Sequence, residues 1–334
     1  MLSPTTLPLR ALLLLLLLLL LCLWPQLTTT ASTNSTSKRG LIYIYTSHSS
    51  KDDSIFTRSG SPLTWYYNYS PWPTDSLSDD VVEFVPMVHG ATNAHEDVAT
   101  IKTLSNATHV LSFNEPDISS SDGGSNTSPS DAAKAYLDFV APLREEPYNL
   151  KISWPSTSGS ASGLTWLSNF NKTCHGLNST HGCPYDFLAT HFYGPFSGLA
   201  SWLGNLHSLY PDAKVWLTEF AVPDTSATVA LAMMDQSLRY LDGLDYLERY
   251  SWFGSFRSSD ANEWTGDGVS MLDGHGKLTG LGAQYLGGEE NGFEKGQTGQ
   301  GSKNGGVAMR DRRSFSMTML AVVTNVVLGG RAFF

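Results

Sequence analysis

Between residues 40 and 286, short runs of β-branched and aromatic residues alternate about eight times with segments of helical period, and this alternation restricts the fold more than any other feature. A strand that must pair in parallel with the next one needs a crossover between them, so the pattern calls for a parallel sheet with helices outside it. Strands are expected over 41–45, 65–69, 84–88, 109–114, 151–154, 187–192, 215–218 and 246–252. Eight such units suit a (β/α)8 TIM barrel. The competing doubly wound sheet wants a Gly-rich turn after its first strand, and Tyr43-Ile44-Tyr45-Thr46-Ser47 offers no glycine.

Helix signals are firmest at Ser128, a cap followed by Pro129 and Asp131, with Ala132, Ala133, Tyr136, Leu137 and Val140 on one apolar face. Leu199, Trp202, Leu203, Leu206 and Leu209 repeat the pattern, as do Val229, Met233, Met234, Ser237, Leu238 and Leu241. The stretch 46–61 keeps little periodicity and is left open. Ser158 to Gly163 reads as a linker, too loose for a serine hydrolase elbow.

The ends of the chain carry address signals. Arg10 and an unbroken leucine run to Leu21 lead to small residues at Thr29 and Ala31, so residues 1–31 read as a secretory signal peptide; an uncleaved anchor fits less well because the apolar run is short. Sequons stand at Asn34, Asn68, Asn106, Asn126, Asn171 and Asn178, that at Asn68 disfavoured by Pro71 and its place in a strand. Removal of Cys22 with the signal leaves Cys174 and Cys183, which are expected to bridge in an oxidising compartment. The catalytic domain is read as 40–288 and a disordered Gly/Gln/Lys/Asn-rich linker as 289–316. The apolar tail 317–334, behind Asn304-Gly305-Gly306 and a polar spacer, fits a glycosylphosphatidylinositol signal about as well as a disordered tail.

Charged residues make up 16% of the 334 and the net charge is -10, which disfavours nucleic acid or an anionic membrane as partner. A neutral ligand fits better. Two apolar runs end on a glutamate, Ser112-Phe113-Asn114-Glu115-Pro116 and Trp216-Leu217-Thr218-Glu219-Phe220. A single glutamate is usually solvated or salt-bridged. Two at strand ends, with no cation beside them in sequence, are costly to bury without a purpose, and a pair of rigid carboxyls is what glycoside hydrolysis needs. Asn114 could bond a sugar hydroxyl. His191 and Tyr193, ending another strand, could orient Glu219 and the sugar. Trp65, Tyr67, Trp154, Trp252 and Trp264 are candidate stacking platforms, with Trp154 and Trp252 preferred because they end strands. No ligand pair at metal spacing stands out among nine histidines, so neither metal nor cofactor is expected.

These strand ends, with Thr190-His191-Phe192-Tyr193-Gly194 and Tyr250-Ser251-Trp252-Phe253, resemble glycoside hydrolase family 128, the β-1,3-glucanases also described as alkali-sensitive-linkage-like glycosyl hydrolases, over roughly 40–287. The resemblance implies a retaining (β/α)8 enzyme with Glu115 as acid/base and Glu219 as nucleophile. Glu115 should then have a raised pKa and Glu219 should stay ionised. The expected activity is endo-β-1,3-glucan hydrolysis by a secreted monomer, with cell-wall β-glucan as partner and wall or membrane attachment through the tail. Alternatives are a retaining glycosidase of another linkage, such as β-1,6-glucan or β-1,4-mannan, and a glucan-binding surface protein without turnover.

Overall fold

The computed structural model describes residues 37–77 and 81–299. Eight strands form one sheet: β1 Arg39–Ile42, β2 Trp65–Tyr67, β3 Glu83–Phe84, β4 His109–Val110, β5 Lys151–Thr157, β6 Phe187–Tyr193, β7 Lys214–Ala221 and β8 Leu247–Trp252. They run in parallel in the order β3-β2-β1-β8-β7-β6-β5-β4. The two edges meet where Leu111 donates to the Pro86 carbonyl and Val88 to the Leu111 carbonyl, both at 2.9 Å. That junction closes the barrel, as the eightfold alternation requires.

Helices α1 Ser49–Asp52, α2 Ala94–Ile101, α3 Pro129–Ala135, α4 Ala161–Leu177, α5 Phe196–Leu209, α6 Ala227–Asp242 and α7 Gly280–Tyr285 lie between or beyond the strands. The Ser128 hydroxyl caps α3 by accepting the Asp131 amide at 3.1 Å, and Pro129 takes the first turn. Tyr136–Val140 then continues as a π turn. Val229, read as part of the α6 apolar face, is exposed at the first turn, while Met233, Met234, Leu238 and Leu241 are buried as expected. Ser158 to Gly163 is no linker. Ser160 caps the 17-residue helix α4 by accepting the Gly163 amide at 3.1 Å, a start signal hidden by the run of serines and glycines around it.

Two apolar layers follow from the period-two pattern of the strands. Ile42, Trp65, Tyr67, Val85, Met87, Leu111, Phe187, Ala189 and Trp216 fill the barrel interior. The larger layer packs the outer faces of the strands against the helices. The barrel floor is ringed by aromatics, with Phe187 and Trp216 stacked at 4.0 Å and the Arg249 guanidinium 4.2 Å above Trp216. Arg249 bonds Glu83 at 2.6 Å, and His109 sits 2.9 Å from the same carboxyl. Burial alone would raise Glu83, but the His109 bond and the Arg249 charge outweigh it and hold its pKa down to about 2. The pair therefore favours the folded state throughout the neutral range, and that contribution disappears as pH falls from the ordinary carboxylate range towards 2.

Cys174 and Cys183 are bonded to each other, joining the end of α4 to the approach to β6. Residues 289–299, assigned from the sequence to a disordered linker, instead pack on the barrel. Phe293 is buried beneath Arg58, and Leu278 and Gly296 exchange backbone bonds with Gln297 and Leu278 at 2.8 Å. One buried aromatic in a polar segment is enough to seat it. The signal peptide, the Asn34 sequon and the tail from residue 300 lie outside the described residues.

Candidate active site

Parallel barrels present strand C-termini at one end, and there the two glutamates meet. Strict alternation along β7 does not put Glu219 there: Trp216 faces the interior, so Thr218 should follow it inward and Glu219 should point into the helices. The register with β6 shows why it does not. Thr190 opposes Leu217, but His191 opposes Glu219, leaving Thr218 as an extra residue on β7. This bulge turns Glu219 into the barrel mouth. Glu115 reaches the same space from the end of β4 with φ +34, and Tyr69 from beyond β2 with φ +60. Left-handed backbone at side chains of this size is strained and is concentrated at working sites. Gly124 makes room beneath the first of these, since a Cβ there would meet the Glu115 carbonyl oxygen at 2.5 Å.

His191, fully buried on β6, stands between the two carboxyls. Its Nδ1 lies 2.9 Å from Glu115 Oε1 and its Nε2 lies 3.4 Å from Glu219 Oε1. One oxygen from each glutamate and one ring nitrogen all fall within 4.8 Å of one another. Glu219 also accepts three phenolic hydroxyls: Tyr69 at 2.7 Å and Tyr67 at 3.1 Å on Oε1, and Tyr193 at 2.5 Å on Oε2. Burial and then the Glu219 charge push these tyrosines well above the ordinary phenol value, so they remain donors.

Burial works against a charge on His191, yet Glu219 and Glu115 outweigh it and raise its pKa. Glu219 is raised as well, first by burial and also by Glu115, against the opposing pull of His191 and the tyrosine hydroxyls. The upward push on Glu219, the deeper carboxyl, runs against the expectation from the sequence that it stays ionised. This trio is also the donor set that could hold a metal among the described residues. Its environment favours a different use: the two glutamates draw the imidazole towards its charged form, in which neither nitrogen keeps a lone pair for a cation.

The cleft above the pair encloses about 400 Å³ and is walled by Tyr43, Tyr45, Asn68, Tyr69, His89, Asn114, Tyr193, Phe253, Asn262 and Trp264. Asn114 is buried beside Glu115, its amide donating to the Gly123 carbonyl at 3.2 Å. The preferred stacking platforms are not in this cleft. Trp65 begins β2 and so lies in the floor, its indole donating to the Lys38 carbonyl at 3.2 Å. Trp154 faces outward and packs on Tyr185 at 4.3 Å, donating to Cys183. Trp252 also faces outward, edge-on to Phe220 and bonded to the Val269 carbonyl at 2.8 Å. None of the three lines the cleft that holds the glutamates, because each points away from the mouth along its strand or across it. Tyr67, read as a platform, holds Glu219 instead. Trp264 is 57% exposed, lines the cleft and stands edge-on to Tyr193 at 4.6 Å. Tyr69, missed as a Glu219 partner, was findable: it shares the period-two face of Trp65 and Tyr67 and lies furthest towards the mouth.

The family model described as glycosyl hydrolase catalytic core matches residues 40–285. Alkali-sensitive linkage protein 1 of Schizosaccharomyces pombe is 31% identical over 256 residues, covering 75% of this chain and 44% of that protein. The chain thus spans less than half the length of this relative. Among solved structures, the exo-β-1,3-glucanase of family 128 subgroup VI from Aureobasidium namibiae superposes with a TM-score of 0.66 at 23% identity, covering 77% of this chain and 98% of that one. The curdlan-specific exo-β-1,3-glucanase of subgroup III from Blastomyces gilchristii, in complex with glucose, gives a TM-score of 0.57 at 26% identity, covering 76% and 99%. With a glutamate pair at the mouth of a closed parallel barrel, a fold shared with these family 128 structures, the chain belongs to the glycosyl hydrolase catalytic core family.

Proposed function

We propose that the chain hydrolyses β-1,3-glucan with retention of configuration, cutting within the chain. The observation that carries the reading is the Glu115–His191–Glu219 arrangement, with carboxyl oxygens within 4.8 Å. Retaining enzymes hold their carboxyls about 5–5.5 Å apart, whereas inverting ones leave a wider gap for water. Glu219, fixed by three hydroxyls, attacks the anomeric carbon as Glu115 protonates the departing oxygen. Glu115 then takes a proton from water, which displaces Glu219 from the glycosyl ester. The substrate class is supported by the solved relatives, which are themselves β-1,3-glucanases. Internal cutting is supported by a second, polar cleft of about 370 Å³ that shares His89 and Gly123 with the first and so lengthens the groove available to a glucan chain.

Incubation with linear β-1,3-glucan oligosaccharides, followed by NMR of the nascent products, tests the reading. Retained β-anomers are expected; inverted products would overturn the mechanism, and turnover of another glucan alone would overturn the substrate. The secreted, glycosylated and lipid-anchored state rests on the terminal segments and sequons, and release from cells by phospholipase tests the anchor.

A raised Glu219 loses its nucleophilic charge sooner as pH falls, so the acid limb of kcat/KM should lie above the ordinary carboxylate range. Tyr193→Phe removes a hydroxyl that favours the carboxylate, and its acid limb should move to still higher pH. A pH profile of both proteins checks this; a limb that stays put or moves down would show that Tyr193 does not tune Glu219.

A further inference from the structure

Large aromatic side chains are rarely left in water, and among the described residues three are: Tyr45 at 80%, Trp72 at 58% and Trp264 at 57% exposed. They are not scattered. Tyr45 follows β1, Trp72 follows β2 and Trp264 lies on the loop after β8, and these are neighbouring strands in the order β2-β1-β8. All three therefore stand on consecutive loops of the same rim, at the end of the barrel that holds the glutamates.

Two of them, Tyr45 and Trp264, also wall the catalytic cleft. Trp72 stands one loop further out, and its backbone is pinned to the cleft wall. The Asn68 amide and the Ser70 hydroxyl donate to the Trp72 carbonyl at 3.0 and 2.8 Å, and Asn68 itself lines the cleft. Such anchoring fixes the loop while leaving the indole free, which core packing would not require. A pyranose presents a face of C–H groups that packs on an aromatic ring, so a row of exposed rings leading out of a sugar cleft has one natural occupant.

We infer that Trp264, Tyr45 and Trp72 form an aromatic ledge that carries the β-1,3-glucan chain beyond the catalytic cleft and makes the protein prefer long chains. The inference rests on the glucan reading for its ligand. Among the described residues, no hydrogen bond or ring contact joins Trp72 to either glutamate or to the tyrosines that hold Glu219, so its removal leaves the reacting centre as it is.

The test compares the parent with Trp72→Ala on β-1,3-glucan oligosaccharides of increasing length, following both affinity by titration calorimetry and kcat/KM. With long oligosaccharides, Trp72→Ala should bind about 5- to 10-fold more weakly and lose kcat/KM to match, in line with one lost ring contact. With the shortest substrate that is turned over, the two proteins should be equal. Tyr45→Ala, closer to the cleft, should lose affinity at shorter lengths than Trp72→Ala does. Equal length dependence in parent and Trp72→Ala would overturn the ledge while leaving the glucanase reading intact. Length-dependent binding that Trp72→Ala weakens, without any turnover by the parent, would uphold the ledge and overturn that reading instead.

Discussion

Glu219→Gln should lower turnover of β-1,3-glucan oligosaccharides by at least about 10³-fold while leaving the melting temperature within a few degrees of the parent. Each tenfold in rate is about 1.4 kcal/mol of barrier, and no neighbour can supply a nucleophile where the amide has replaced the carboxylate. The fold should survive because glutamine keeps the volume and can still accept from Tyr67 and Tyr69 through its carbonyl. Glu115→Gln separates the roles: it should be as inactive on glucan, yet retain glycosyl-enzyme formation from an aryl glycoside whose leaving group needs no proton. Turnover of glucan by folded Glu219→Gln within tenfold of the parent would remove Glu219 from the chemistry.

Trp65→Ala carries the second large effect, and it falls on stability instead of catalysis. Trp65 is fully buried in the barrel floor, 5.3 Å from Trp216 and stacked at 6.0 Å on Tyr67. Gly40 has its α-carbon under the indole, since a Cβ there would lie 2.2 Å from the ring. Truncating a buried tryptophan typically costs about 3–5 kcal/mol, here by emptying a layer that the rigid barrel cannot close. Denaturant unfolding should show that loss, with KM for glucan unchanged in the protein that remains folded. An altered KM with stability untouched would return Trp65 to the role of a sugar platform. The same contrast separates Trp65 from Trp72: one ring is held by the core, the other by solvent.

Why the sequence separates some of these residues and not others has a local explanation. A cap such as Ser128 with Pro129, or the apolar stripe of α5, depends on neighbours three or four positions away, and those are visible in the chain itself. The glutamates were conspicuous because an acid at the end of an apolar run is unusual. The tryptophans were harder, since a ring at the end of a strand can face the mouth or the helices. Trp154 and Trp252 end up among helices, and nothing within a few residues of them records which side they face. Likewise Ser160, embedded in serines and glycines, caps α4 only because the chain beyond it packs on β5.

The sequence by itself determined the parallel barrel, its eight strands, the pairing of Cys174 with Cys183 and the two carboxyls at strand ends, because each follows from period, spacing or composition along the chain. Only the tertiary structure decided which side chains meet. The extra residue at Thr218 reverses the facing of everything after it on β7, and β6 alone supplies the register that makes it extra. The left-handed turns at Glu115 and Tyr69 are likewise imposed from outside, by the backbone of neighbouring strands and the space that Gly124 leaves. Facing is a relation between strands, so it enters only when the barrel closes.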